Sequence, residues 1–87
     1  MKPEMTINKY GTKEWYLNGQ RHREDGPAIE WADGSKEWYL NDQYHREDGP
    51  AIEWADGSKY WYLNDKNVTE EEFKKFRLKK NLQDLIQ

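Results

Sequence analysis

Residues 11–33 read GTKEWYLNGQRHREDGPAIEWAD, and residues 34–56 read GSKEWYLNDQYHREDGPAIEWAD, differing only at Thr12/Ser35, Gly19/Asp42 and Arg21/Tyr44. A third copy begins at Gly57, runs GSKYWYLND to Asp65, and loses the pattern at Val68, where a histidine would stand. Near-identity at so short a period restricts the chain to a stacked repeat architecture. A unit of this size buries its apolar face only against its neighbours, and the terminal units are atypical because one side meets water.

Within a unit, Lys13-Glu14-Trp15-Tyr16-Leu17 is strand-prone and is followed by Asn18-Gly19, a strong hairpin signal. A two-residue turn there sets Trp15 opposite His22, Tyr16 opposite Arg21 and Glu14 opposite Arg23. Asp33-Gly34, read as a second two-residue turn, pairs Ile29 with Trp38, Trp31 with Lys36 and Glu30 with Glu37; Asp56-Gly57 repeats it. Reconciling the two pairings needs one extra residue, expected as a bulge in Glu24-Asp25-Gly26-Pro27 and again in Glu47-Asp48-Gly49-Pro50. The alternation then puts Trp15, Leu17, Ile29, Trp31, Trp38, Leu40, Ile52, Trp54, Trp61 and Leu63 on a buried face. Glu14, Tyr16, Glu30, Glu37, Tyr39, Glu53, Tyr60 and Tyr62 fall on a wetter one. Trp15, Trp38 and Trp61 should accordingly be more buried than Tyr16 and Tyr39.

Residues 1–10 follow the repeat loosely and suit a capping strand. From residue 69 the pattern becomes helical, with Thr69 and Glu72 as a capping box and Val68 placed to staple onto Phe73, so a helix should start at about residue 70. Phe73 and Phe76 point to one side of it, and Leu78, Leu82, Leu85 and Ile86 roughly to the other. The helix therefore breaks near Asn81 or contacts two surfaces. The expected fold is mainly β: a single domain, 1–87, comprising a single-layer twisted antiparallel β-meander of 23-residue hairpin repeats (11–68) and a C-terminal α-helix as cap (69–87).

The 14 Lys and Arg against 17 Asp and Glu give a net charge of −3, which argues against general affinity for nucleic acid or acidic membrane. There is no cysteine, and no apolar run of signal-peptide or transmembrane length, so a cytoplasmic protein is expected. His22 and His45, with Asp25 and Asp48, are spread along an array instead of converging on one atom. That pattern predicts neither catalytic residues, nor a metal site, nor a cofactor. The distinctive surface is Tyr16, Tyr39, Tyr62 and Tyr60 set among Glu14, Glu30, Glu37 and Glu53. Arg23 and Arg46 are placed to neutralise these acids within the protein; where they do not, carboxylates and tyrosine rings together suit a protein partner with a basic surface. Leu82, Leu85 and Ile86 are candidates for self-association, as in a homodimer.

The 23-residue period and the strand-Asn-Gly-strand-Asp-Gly grammar of residues 11–68 resemble MORN repeats, which build single-layer sheets from successive hairpins. The run His-Arg-Glu-Asp-Gly-Pro-Ala-Ile-Glu at 22–30 and 45–53, ending in Val-Thr-Glu-Glu-Glu-Phe at 68–73, is similar to a divergent MORN-like group of bacteriophages and other viruses. The usual pattern has His-Gly where this chain has His22-Arg23 and His45-Arg46. The resemblance implies a scaffold, dimerisation or lipid-associated module. With the acidic aromatic face, it leads us to expect a non-enzymatic protein-binding module: a phage accessory protein acting in the host cytoplasm, which binds and inhibits a host defence factor such as a CRISPR effector. The alternative is a structural module that self-associates through its aromatic face.

Overall fold

The computed structural model describes residues 2–85. These residues form ten strands, β1 (Glu4–Ile7), β2 (Lys13–Leu17), β3 (Gln20–Arg21), β4 (Ile29–Glu30), β5 (Lys36–Glu37), β6 (Tyr39–Leu40), β7 (Gln43–Tyr44), β8 (Ile52–Glu53), β9 (Lys59–Leu63) and β10 (Lys66–Val68). One helix, α1 (Glu70–Leu85), follows them. Eight strands make an antiparallel sheet in the order β1-β2-β4-β5-β8-β9-β10, with β3 also on β2, while β6 and β7 pair separately. No helix among the described residues is long and apolar enough to cross a membrane.

The Asn-Gly hairpin forms as its sequence dictates. Tyr16 faces Arg21 and Leu17 faces Gln20, leaving Asn18 and Gly19 at φ 53° and 78°. Left-handed φ at both positions is the type I′ turn, whose twist matches the strands it joins. Asn41-Asp42 and Asn64-Asp65 repeat it without glycine.

The Asp-Gly turn differs from the two-residue expectation. Ile29 faces Glu37 and Glu30 faces Lys36, so the loop is Ala32-Asp33-Gly34. The Gly34 N–H donates to the Trp31 carbonyl at 3.0 Å, the Trp31 N–H to the Ser35 carbonyl at 2.9 Å, and the Ser35 N–H to Asp33 Oδ1 at 2.8 Å. Gly34 adopts φ 94°, so this is the three-residue loop in which glycine supplies the left-handed residue. One residue more in the loop moves every following side chain to the other face.

The faces are therefore re-sorted. Glu14, Ile29, Glu37, Ile52 and Tyr60 line up across the sheet on one side, which we call the tyrosine face. On the other, the tryptophan face, Lys13, Glu30, Lys36, Glu53 and Lys59 form a ladder of alternating charge across five strands. Opposite charges directly across strands are favourable, so no unfavourable Glu30–Glu37 pair exists. Ile29 and Ile52 leave the tryptophan set, as does Trp31, whose indole N–H bonds Glu37 of the tyrosine face, and both Trp31 and Trp54 are exposed instead of buried. The core of Ala28, Ile29 and Tyr39, with Tyr44 against it, lies on the tyrosine side. The expected order of burial fails with them: Tyr39 is 9% exposed, whereas Trp15, Trp38 and Trp61 are half-buried.

No one-residue bulge is needed between the two hairpins. Tyr16 faces Arg21 and Glu14 faces Ile29, so residues 22–28 all lie across from Trp15 alone. Trp15 closes the neck of this excursion, donating its N–H to the Ala28 carbonyl (2.8 Å) and accepting from the His22 N–H (3.1 Å); Trp38 does the same with Ala51 and His45. Arg23 is consequently not opposite Glu14.

α1 starts at Glu70, with the Thr69 N–H on Glu72 Oε1 at 2.8 Å and the Glu72 N–H on Thr69 Oγ1 at 3.1 Å, the reciprocal pair of a capping box. It runs unbroken past Asn81 to Leu85 and buries Phe73 alone.

Candidate functional site

Each excursion is organised by its arginine. The Arg23 guanidinium lies 3.8 Å from the centre of the Trp15 ring, donates Nε–H to Asp25 at 3.1 Å, and shares Nη1 between the Pro27 carbonyl and Glu30 at 3.1 and 3.0 Å. Arg46 repeats this over Trp38 with Asp48, Pro50 and Glu53. A cation on an indole face is attracted by the ring quadrupole, and the fork fixes the corner's shape. The glycine of each corner follows from that approach: a Cβ at Gly49 would sit 2.8 Å from Arg46 Cζ.

Each histidine ties its corner to the next hairpin. His22 Nδ1 accepts the Asn41 N–H at 3.0 Å, which leaves Nε2 as the donor to Glu24 at 3.3 Å. His45 bonds the Asn64 N–H and Glu47 in the same way at 2.9 Å each. Among the described residues no group of three or more His, Cys, Asp and Glu could hold a metal ion.

The tyrosine face carries a feature that sequence reasoning missed, a column of rings and one guanidinium crossing the strands. Arg21 lies 6.0 Å from the Tyr16 ring and 5.5 Å from that of Tyr39; Tyr39 stacks on Tyr44 at 4.4 Å, and Tyr44 meets Tyr62 at 4.9 Å. The Arg21/Tyr44 difference between the repeats is the available signal, since both residues fill one slot of this column. Glu37 serves as its acceptor, taking the hydroxyls of Tyr39 (3.1 Å) and Tyr44 (2.6 Å) and the Trp31 indole N–H (2.5 Å). Burial first, then hydrogen bonds and the Glu37 charge, raise the Tyr39 hydroxyl well above the usual tyrosine range.

The predicted partner surface is thereby divided. Glu30 and Glu53 stand on the tryptophan face as the partners of Arg23 and Arg46. Glu37 and Tyr39 are buried, at 4% and 9% exposure, and have no surface to offer. Glu14 accepts the Tyr16 hydroxyl at 3.2 Å. Tyr62 is half-buried in the column, and Tyr60, in the place Glu37 holds one unit earlier, is exposed. The acids that were to attract a basic partner are thus largely occupied within the protein.

The third unit leaves a different surface. In place of a third corner, α1 folds over the tryptophan face, its Lys80 ammonium bonding Glu47 of the second corner. Between helix and sheet lies a groove of about 700 Å³, with Pro50, Lys59 and Trp61 on the sheet side and Glu70, Phe73, Lys74, Arg77, Leu78 and Asn81 along one helix face. Leu78, Leu82 and Leu85 continue it as an exposed stripe at 61%, 55% and 79%. Ile86 lies outside the described residues. Lys80, then His45, holds the Glu47 carboxyl below its ordinary range.

Comparison with protein-family models, with curated proteins and with solved structures finds no match to this chain.

Proposed function

We propose that this chain is a non-enzymatic protein-binding module, a single-layer β-meander of MORN-like 23-residue hairpin repeats that presents its C-terminal groove and leucine stripe to a protein partner. The observation that carries this reading is the pairing of an internally neutralised repeat surface with an exposed apolar stripe at Leu78, Leu82 and Leu85, of which Leu78 lines the groove with Trp61. Contiguous exposed apolar surface rimmed by charge is characteristic of protein interfaces. The likeness of residues 22–30, 45–53 and 68–73 to viral MORN-like repeats extends the proposal to biology: a phage accessory protein in the host cytoplasm, whose partner is a host defence factor such as a CRISPR effector and whose binding inhibits it.

The test compares capture from a bacterial host lysate by the parent chain and by Leu78→Asp, with circular dichroism as the fold control. A discrete partner retained by the parent and lost by the variant supports the reading; equal capture by both removes it. Self-association is the second reading, favoured by the exposure of Leu82 and Leu85 at the helix end. Light scattering decides it, since a dimer that Leu82→Asp and Leu85→Asp dissociate would make the stripe a contact between copies.

A further inference from the structure

We propose that the groove between α1 and β9 receives an acidic segment of a partner protein, its carboxylates on Lys59 and Arg77 and an apolar side chain against Trp61 and Leu78. This rests on the protein-binding reading and names the chemistry of the partner.

The array itself shows what the groove is not built for. In the first two units the exposed face of the tryptophan is covered by an arginine clamped between two carboxylates. One period later the residues equivalent to Arg46, Asp48 and Glu53 are Thr69, Glu71 and Phe76. The guanidinium and its Glu53-type acceptor are both gone, and Trp61 faces a groove lined by Lys59, Lys74 and Arg77. Of the lining residues only Glu70 is acidic, and it lies 3.7 Å from the Lys74 ammonium. Lys59 faces Glu53 across the strands, but that carboxylate is held by Arg46 at 2.9 Å. Among the described residues neither Lys59 nor Arg77 forms an ion pair with a carboxylate. A cationic guest would meet uncompensated positive charge, and an anionic one would complete it.

Protein fits this groove better than nucleic acid. Lys75 and Lys79 project from the helix away from the lining set of Lys74, Arg77 and Leu78. The corner that ends at Pro50 carries Glu47 and Asp48, which a phosphate backbone would have to pass. The leucine stripe adds apolar contact that a polyanion does not use.

The test uses the full chain, ¹⁵N-labelled, with its five indole N–H signals assigned by single Trp→Phe changes. Three probes are titrated: a ten-residue peptide of alternating Glu and Leu, its Lys-for-Glu counterpart, and a ten-nucleotide oligo-dT. The Glu peptide should shift the Trp61 indole signal saturably and leave those of Trp15 and Trp38 in place. K59E/R77E should weaken it about tenfold, the loss expected for two partly exposed ion pairs, and make the Lys peptide the better ligand. If K59E/R77E fails to fold, K59Q/R77Q should still weaken the Glu peptide. A Trp61 shift caused equally by the Lys peptide or by oligo-dT, or appearing with protein concentration alone, overturns the proposal. Lysate capture that survives K59E/R77E but is lost in Leu78→Asp leaves the protein-binding reading standing and removes this one.

Discussion

Gly49 and Gly26 hold positions where a methyl group would press on an arginine, Cβ lying 2.8 Å from Arg46 Cζ in one case and 3.0 Å from Arg23 Cζ in the other. Gly49→Ala should therefore push the Arg46 guanidinium off its seat and cost about 1 kcal/mol, the worth of its indole contact and exposed ion pairs, and Gly26→Ala less; urea denaturation measures both. Unchanged midpoints would mean that the guanidinium is not seated between glycine and indole. His45→Ala removes the acceptor of the Asn64 N–H and should cost about 1–3 kcal/mol, read from the same curves, if that donor stays dry. At this scale the sequence was legible where one dipeptide fixes a backbone state. Asn18-Gly19 specifies a type I′ turn outright, whereas Asp33-Gly34 suits either a two-residue or a three-residue loop. Only tertiary pairing selects the latter, and that one-residue ambiguity exchanged Ile29 and Glu30 between faces. Arg23 is legible as a counter-ion for Glu30, but its seat over Trp15 is not, because Trp15, Asp25, Pro27 and Glu30 converge on it only after an excursion that no local period announces.

At the level of elements, α1 is held by its cap, by Phe73 and by Lys80. Thr69→Ala should cost about 0.5–2 kcal/mol and reduce helicity in circular dichroism, because the Glu72 N–H loses its acceptor. The Glu47–Lys80 contact predicts a pH dependence. A carboxyl whose folded pKa is depressed contributes stability that is fully present above its unfolded value and is lost as pH falls through the folded one. Stability should thus decline on acidification below the ordinary carboxylate range, and Lys80→Gln should flatten that decline in thermal melts taken across pH. The helix start at Glu70 was readable because a capping box is a local reciprocal bond. Its path across the tryptophan face was not, since the partner of Lys80 lies 33 residues away.

For the whole molecule, α1 closes one end of a sheet whose next-to-last strand, β9, is covered by β10 along only part of its length. β10 covers Trp61 to Leu63, so Lys59 and Tyr60 pair on one side only, with β8. Deleting residues 69–87 should uncover that edge together with Trp61, giving larger species in light scattering while the β-sheet signal in circular dichroism persists. The strand order also sets a length. Each 23-residue unit adds two strands to the path, as β5 and β8 do for residues 34–56, and neighbouring strands lie about 4.8 Å apart. One more copy inserted after Asp56 would move β1 and the groove apart by roughly 10 Å, leaving the local surroundings of both unchanged. Spacing between the two ends is therefore quantised in whole units, and a ligand that touches both would read the chain as a ruler.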